Sequence, residues 1–240
     1  MSPNIPTASY SERGARRLYV FHHAGGGATT YFGWQRALGP SIEVVPVVLP
    51  SDPDRTLGGV VESVSRGLDP SRPYLFYGHS MGARIAFCVA ERLFSQGFPG
   101  PERLIAGASA APGLPTGLGP VLAQGDAELL RSMLGVDRNS ARLLENPRLA
   151  RRMLSALRAD LRLCAAATVF ERAVLPCPID VFAGFADPIV SVSGAAAWAR
   201  HTTAGFRLHR VDGGHFFHRR PAGDFLARLS RLCAAESAYA

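Results

Sequence analysis

Six short stretches of the chain read as strands: residues 18–21, 43–49, 73–77, 104–108 and 179–183, apolar almost throughout, and 206–211, where Phe206, Leu208 and Val211 are apolar. Runs of this length without polar alternation predict strands covered on both faces, as in a parallel sheet. Pro46 falls inside the second run. It lacks the N–H that a central strand needs, so that run is expected at an edge. Between the runs the apolar period lengthens to that of a helix. Leu57, Val60, Val61, Val64 and Leu68 share one face of residues 56–68, and Ile85, Phe87, Val89 and Leu93 mark residues 81–94. Residues 194–202 and 225–233 also read as helices. Strand then helix, repeated, predicts an α/β fold: a mostly parallel sheet with helices on both faces.

One region interrupts the alternation. From about residue 113 to 170 there is no strand pattern, only a Gly/Pro-rich start and helical stretches at 126–134, 140–144 and 147–170. Asp126 is placed to cap the first stretch, and Pro147 suits a first helical turn. A helical insertion between two strands of an α/β sheet predicts a lid over a site. The whole of 1–240 is expected to form one domain, with residues 1–15 a flexible N-terminus.

The chemistry concentrates at strand ends. Gly78-His79-Ser80-Met81-Gly82 follows the third run and opens the helix at 81–94. This is the Gly-x-Ser-x-Gly pattern between a strand and a helix, the setting that exposes a nucleophilic serine on a tight turn. The helix start aims the Met81 N–H, and the positive end of the helix dipole, at a site where an oxyanion would form.

A serine needs a base and a group to orient that base. Four histidines follow it: His201, His209, His215 and His218. His201 sits in a helical pattern and His209 inside the sixth run. His215 follows that run, after Gly213-Gly214 and before Phe216-Phe217, in a loop at a strand's C-terminal end, where sites gather in open α/β sheets. It is the first choice. His218 is the second, because His-Arg-Arg-Pro reads as surface. Asp187, in the loop directly after the fifth run, is the candidate acid. Asp180 lies within that run, and Asp212 is too near His215 in sequence, so neither fits as well. His22-His23-Ala24-Gly25-Gly26-Gly27 ends the first run, where a His-Gly-Gly-Gly type loop supplies a second oxyanion N–H. Here that donor is assigned to Ala24. The two histidines have no partner at metal-ligand spacing, so neither a metal nor a cofactor is expected.

Composition narrows the setting. Hydrophobic residues make up 47% and charged residues 19% of the 240, enough for a sizeable core. No run approaches a membrane span, and residues 1–17 contain no secretory pattern. Cys88, Cys164, Cys177 and Cys233 are far apart in apolar surroundings and read as buried thiols in a reducing cytoplasm. The net charge is +7, carried entirely by arginine on the basic side, with no lysine. Seven arginines gather at 138, 142, 148, 151, 152, 158 and 162. They form either a solvated helical face or a surface for an acidic partner. Nothing in the chain matches a nucleic-acid-binding signature.

Taken together, His23-Ala24-Gly25-Gly26, Gly78 to Gly82, Leu157-Arg158-Ala159-Asp160, Gly184 to Val190 and Gly213 to Phe217 resemble the stand-alone type II thioesterases of polyketide and non-ribosomal peptide assembly lines. The resemblance covers nearly the whole chain. It implies the α/β-hydrolase fold, a triad on Ser80, Asp187 and His215, oxyanion donors on Ala24 and Met81, and the Leu-Arg-Ala-Asp motif in the lid. It also implies a monomer acting on acyl groups held by the phosphopantetheine arm of an acyl or peptidyl carrier protein. The same triad with an acceptor other than water would make a cyclase or acyltransferase, and a dead site would leave a carrier-binding protein. Two positions depart from the family: His22 stands where proline is usual, and Leu49-Pro50-Ser51-Asp52, with Arg55 beyond, replaces Leu-Pro-Gly-Arg.

Overall fold

The structure, a computed structural model, describes residues 15–116, 118–129, 147–167, 172–219 and 224–235. The expected helix at 140–144, Arg138 and Arg142 lie outside these, as does nearly all of the N-terminal segment. Six strands, β1 Arg16–Phe21, β2 Ile42–Pro46, β3 Tyr74–His79, β4 Leu104–Gly107, β5 Ile179–Gly184 and β6 Phe206–Val211, form one sheet in the order β2-β1-β3-β4-β5-β6. Every pairing is parallel. β2 is an edge strand, as its proline requires. It ends at Pro46 rather than running to residue 49, and Val47 N–H closes the pairing on Val20 O at 2.9 Å.

Side chains alternate between the two faces of the sheet, as the pleat dictates. Tyr19, Phe21, Phe76, Leu104 and Val181 point to one face, where α2 (Leu57–Gly67) and α3 (Met81–Ser95) pack; Leu18, Val20, Leu75, Ile105 and Phe182 point to the other, against α1 (Trp34–Leu38) and the C-terminal helix Asp224–Ala234. Thr56 caps α2, its Oγ1 accepting from Gly59 N–H at 3.2 Å. The helix expected at 194–202 divides instead. An α-helical turn, Val192–Ala196, starts earlier because Ser191 Oγ caps it, and a 3₁₀ stretch, Ala197–His201, follows. In that stretch the buried Trp198 donates its indole N–H to Ser109 O, and His201 O accepts from Leu175 N–H, each at 2.9 Å.

Between β4 and β5 the described helices are α4 Leu118–Ala123, a short stretch at 126–129, and α5 Pro147–Ala166. Leu129, Leu154 and Leu157 form a small core of their own there. Asp126 does not cap its stretch. The N–H groups of Glu128 and Leu129 bond Gly125 O, and the Asp126 carboxylate accepts from the Arg158 guanidinium at 2.8 Å. Arg158 also donates to Leu122 O and Gln124 O, so one side chain of α5 holds the end of α4 and the loop after it. No helix among the described residues is long and apolar enough to cross a membrane.

A buried ion cluster that spans strands lies at β5. Asp180, 1% exposed, accepts from Arg103 and from His209 Nε2 at 2.6 Å. Burial alone would raise its pKa, but the His209 hydrogen bond and the Arg103 charge outweigh it and hold the carboxyl below its ordinary value. A carboxylate with a depressed folded pKa adds stability above the unfolded value, near 3.8, and loses it as the pH falls through the folded value. Asp180→Ala strands the Arg103 charge and is expected to cost about 3–5 kcal/mol at neutral pH in urea unfolding. That cost should shrink on going from pH about 5 towards 2 as the wild-type carboxyl protonates. A cost that does not change with pH would show that the pair carries no net charge coupling.

Candidate active site

The strand order sets the site. From β1 the chain goes to one side of the sheet to form β2 and then returns to the other side as β3, so the loops after β1 and β3 diverge from neighbouring strands at the C-terminal edge. Crevices of this kind receive ligands in open α/β sheets.

The turn after β3 is sharp. Ser80 has φ 54°, in the left-handed region, with ψ −115°. For a residue with a side chain this costs on the order of 1–3 kcal/mol, which the surroundings must offset. They do so by close packing. A Cβ on Gly78 would meet Gly82 O at 2.3 Å, and one on Gly82 would meet Phe21 O at 2.2 Å. The two glycines thus let the first turn of α3 lie directly on the ends of β1 and β3. Ser80 N–H is anchored on Gly107 O of β4 at 2.7 Å. The result is a serine held at the top of the sheet with the Met81 N–H in the first turn of α3.

Two further loops reach this serine. His215 Nε2 lies 3.1 Å from Ser80 Oγ, and its Nδ1 lies 3.0 Å from Asp187 Oδ2 and 3.2 Å from Oδ1. Asp187 Oδ1 also accepts from Ile189 N–H at 2.8 Å and Val190 N–H at 3.1 Å. Burial would raise the Asp187 pKa, but the His215 hydrogen bond, its charge and these two amides bring it below the ordinary value. An ionised carboxylate only accepts, so Nδ1 carries the ring proton and Nε2 is left to accept from the serine hydroxyl. Sequence reasoning named these three residues, and the structure brings them together. Ala24 lies in the turn after β1, closed by Gly26 N–H on His23 O at 2.9 Å.

The other candidates lie elsewhere. His201 bonds Ala173 O through Nδ1, and His209 belongs to the Asp180 cluster. His218 is not at the surface, as its Arg-Arg-Pro context suggested. It is 1% exposed, with its ring centroid 3.7 Å from that of His79. The hydrophobic Phe216 and Phe217 on one side and the 3₁₀ turn Phe217–Arg219 draw it inward.

Sequence reasoning assigned His79 no role of its own. Its side chain is fully buried and joins β3 to the His215 loop: Nε2–H donates to His215 O at 2.7 Å, while Nδ1 accepts from Tyr77 OH at 2.8 Å. The main chain of His215 is thereby tied to β3. His23, on the opposite side, accepts from Arg219 at Nε2 over 2.8 Å. Burial is the main reason that His79, His218 and His23 all resist protonation, the last down to about 3; neighbouring imidazoles and Arg219 add to it. The signal for this packed imidazole group, four histidines near strand ends, was legible in sequence; its mutual contacts were not.

The thioesterase domain family matches residues 16–232. The linear gramicidin dehydrogenase LgrE of Brevibacillus parabrevis is 34% identical over 212 residues, covering 83% of this chain and 81% of its own. The RedJ thioesterase from the prodiginine biosynthetic pathway of Streptomyces coelicolor superposes with a TM-score of 0.81 at 32% identity, over 95% of this chain and 96% of its own. The type II thioesterase BorB from the borrelidin biosynthetic cluster gives 0.79 at 30% identity, over 93% and 94%.

The buried imidazoles fix a pH response of the fold. An unfolded imidazole protonates near 6.5, whereas these three stay neutral when folded. The unfolded state therefore binds more protons as the pH falls, and stability drops from about 6.5 downward, by up to ~1.4 kcal/mol per pH unit for each ring. His218→Phe removes one such ring while keeping the stacking on His79. Its thermal midpoint should fall less steeply than the wild type's between pH about 6.5 and 4.5. Parallel curves would mean that His218 accepts its proton in the folded state.

Proposed function

The chain belongs to the thioesterase domain family, with relatives among the type II thioesterases of polyketide and non-ribosomal peptide pathways, and we propose that it hydrolyses acyl groups from the phosphopantetheine arm of acyl or peptidyl carrier proteins through Ser80, His215 and Asp187. The observation that carries this reading is the unbroken hydrogen-bond chain from Ser80 Oγ through His215 to Asp187, mounted on a left-handed serine.

The chemistry follows from that chain. Ser80 Oγ attacks the thioester carbonyl carbon as His215 Nε2 takes its proton. The carbonyl oxygen, now negative, is held by the N–H groups of Ala24 and Met81, where water would stabilise it less. The tetrahedral adduct collapses, the C–S bond breaks, and His215 returns its proton to the departing sulfur. Water then repeats the sequence on the acyl-serine, with His215 as base, and releases the acid. Asp187 stays ionised throughout, holding the ring in its reactive tautomer and stabilising the imidazolium. The helices between β4 and β5 serve as the lid. No metal or cofactor enters any step.

Charge supports the carrier as partner. Arg151, Arg152 and Arg162 are exposed on α5, while the acidic residue of that helix, Asp160, is buried. An outer face this basic attracts an acidic protein and speeds encounter rather than chemistry.

Two tests follow. Ser80→Ala, with its circular dichroism and melting unchanged, is expected to lose on the order of 10⁴ or more in kcat, His215→Ala about as much, and Asp187→Asn somewhat less. Product analysis should find the free acid. Hydrolysis near the wild-type rate by folded Ser80→Ala would refute the triad, and a transferred or cyclised product would move the reaction to another acceptor. Separately, replacing Arg151 and Arg152 together by Gln should raise KM for an acidic carrier-bound thioester several-fold at low salt. It should leave the N-acetylcysteamine thioester unaffected, with the difference shrinking as salt rises. Equal kinetics on both substrates would place the carrier elsewhere.

A further inference from the structure

The turn that presents Ala24 has a second partner, far away in sequence. Gly25 has φ 74°, and Gly26 N–H bonds His23 O across it, the signature of a type II turn. In such a turn the central peptide, Ala24–Gly25, can flip its N–H and C=O with little motion of the flanking residues. Here the Gly25 N–H is taken by Asp160 Oδ2 at 2.8 Å. Asp160 belongs to α5, and its other oxygen, Oδ1, pairs with the guanidinium of Arg55 from the loop before α2. Both side chains are buried, 8% exposed for Arg55 and 3% for Asp160. The carboxylate therefore has one oxygen on the turn and one on a buried cation, and it sits on the helix that packs over the site.

We propose that Asp160 is a positioning residue: with Arg55 it holds the Gly25 N–H and so fixes the His23–Gly26 turn, on which the neighbouring Ala24 N–H is mounted towards the oxyanion, only when α5 is seated against α3. This inference rests on the reading of Ala24 as an oxyanion donor. A carboxylate suits the task better than a neutral acceptor. It repels the flipped state, in which the Ala24 carbonyl oxygen would face it, and it cannot leave Arg55 without stranding a buried charge. Arg55 is itself held in the loop before α2, its NH1 donating to Asp52 O at 2.8 Å.

The test compares Asp160→Ala, Asp160→Asn and Ser80→Ala on an N-acetylcysteamine thioester, which needs no carrier docking. Asp160→Ala is expected to lower kcat about 10- to 100-fold, short of deleting an oxyanion donor, with KM within about twofold. Asp160→Asn keeps an oxygen for the Gly25 N–H and should recover most of that loss. If Asp160→Ala fails to fold because Arg55 is stranded, the pair Asp160→Ala/Arg55→Leu removes the stranded charge and should show the same loss in kcat. Gly25→Ala, which disfavours the turn independently, should add little to the loss in the Asp160→Ala background. Wild-type kcat in a folded Asp160→Ala chain, equal losses for Ala and Asn, or fully additive losses with Gly25→Ala would each overturn the proposal while an inactive Ser80→Ala keeps the triad. An active Ser80→Ala would remove both.

Discussion

The site depends on one close approach. The first turn of α3 lies on the ends of β1 and β3 so tightly that Gly78 and Gly82 have no room for a Cβ. That contact holds Ser80 in a left-handed conformation it would not otherwise keep, and it sets the loop after β1 against the helix N-terminus. The proposed nucleophile and both proposed oxyanion donors thus come from one packing event between backbone segments. Such contacts lack flexible side chains that could yield, so the geometry is fixed before any substrate arrives.

Around this backbone knot, side chains tie in the remaining loops. Tyr77 and His79 hold the main chain of His215 from below, and the amides of Ile189 and Val190 hold Asp187 from the side. Asp160 reaches in from α5 to the turn at Gly25. The bonds that hold Asp187 are local, but those from His79 to His215 and from Asp160 to Gly25 span 136 and 135 residues, so the rigidity of the site depends on the fold as a whole. The buried imidazoles are part of the same frame. They stay neutral because burial outweighs their affinity for a proton, which keeps extra positive charge away from His215.

How far the sequence disclosed this varies with the kind of interaction. The strands were legible because five short apolar runs, with Phe206, Leu208 and Val211 in the sixth, fit a sheet covered on both faces, and the edge position of β2 followed from Pro46. Ser80, Asp187 and His215 were legible because each sits just beyond a strand end, where the fold must converge. His218 was misjudged as surface, since local polarity says nothing about two phenylalanines pulling a loop inward. The helix after β5 was drawn too long, because apolar spacing does not distinguish an α turn from the tighter 3₁₀ turn that seats Trp198. Asp126 looked like a cap and is an acceptor for Arg158, a partner 32 residues away. Asp160 could be assigned to a motif, yet its inward contact depends on how α5 packs, which periodicity does not encode.

The central claim is that Ser80 is activated through His215 by this frame. It is tested most directly by labelling the native chain with a fluorophosphonate and locating the adduct by peptide mass spectrometry. A stoichiometric adduct on Ser80 alone, slowed by orders of magnitude in a folded His215→Ala chain, is the result predicted. Labelling of another residue, or a Ser80 adduct that forms equally fast without His215, would contradict it.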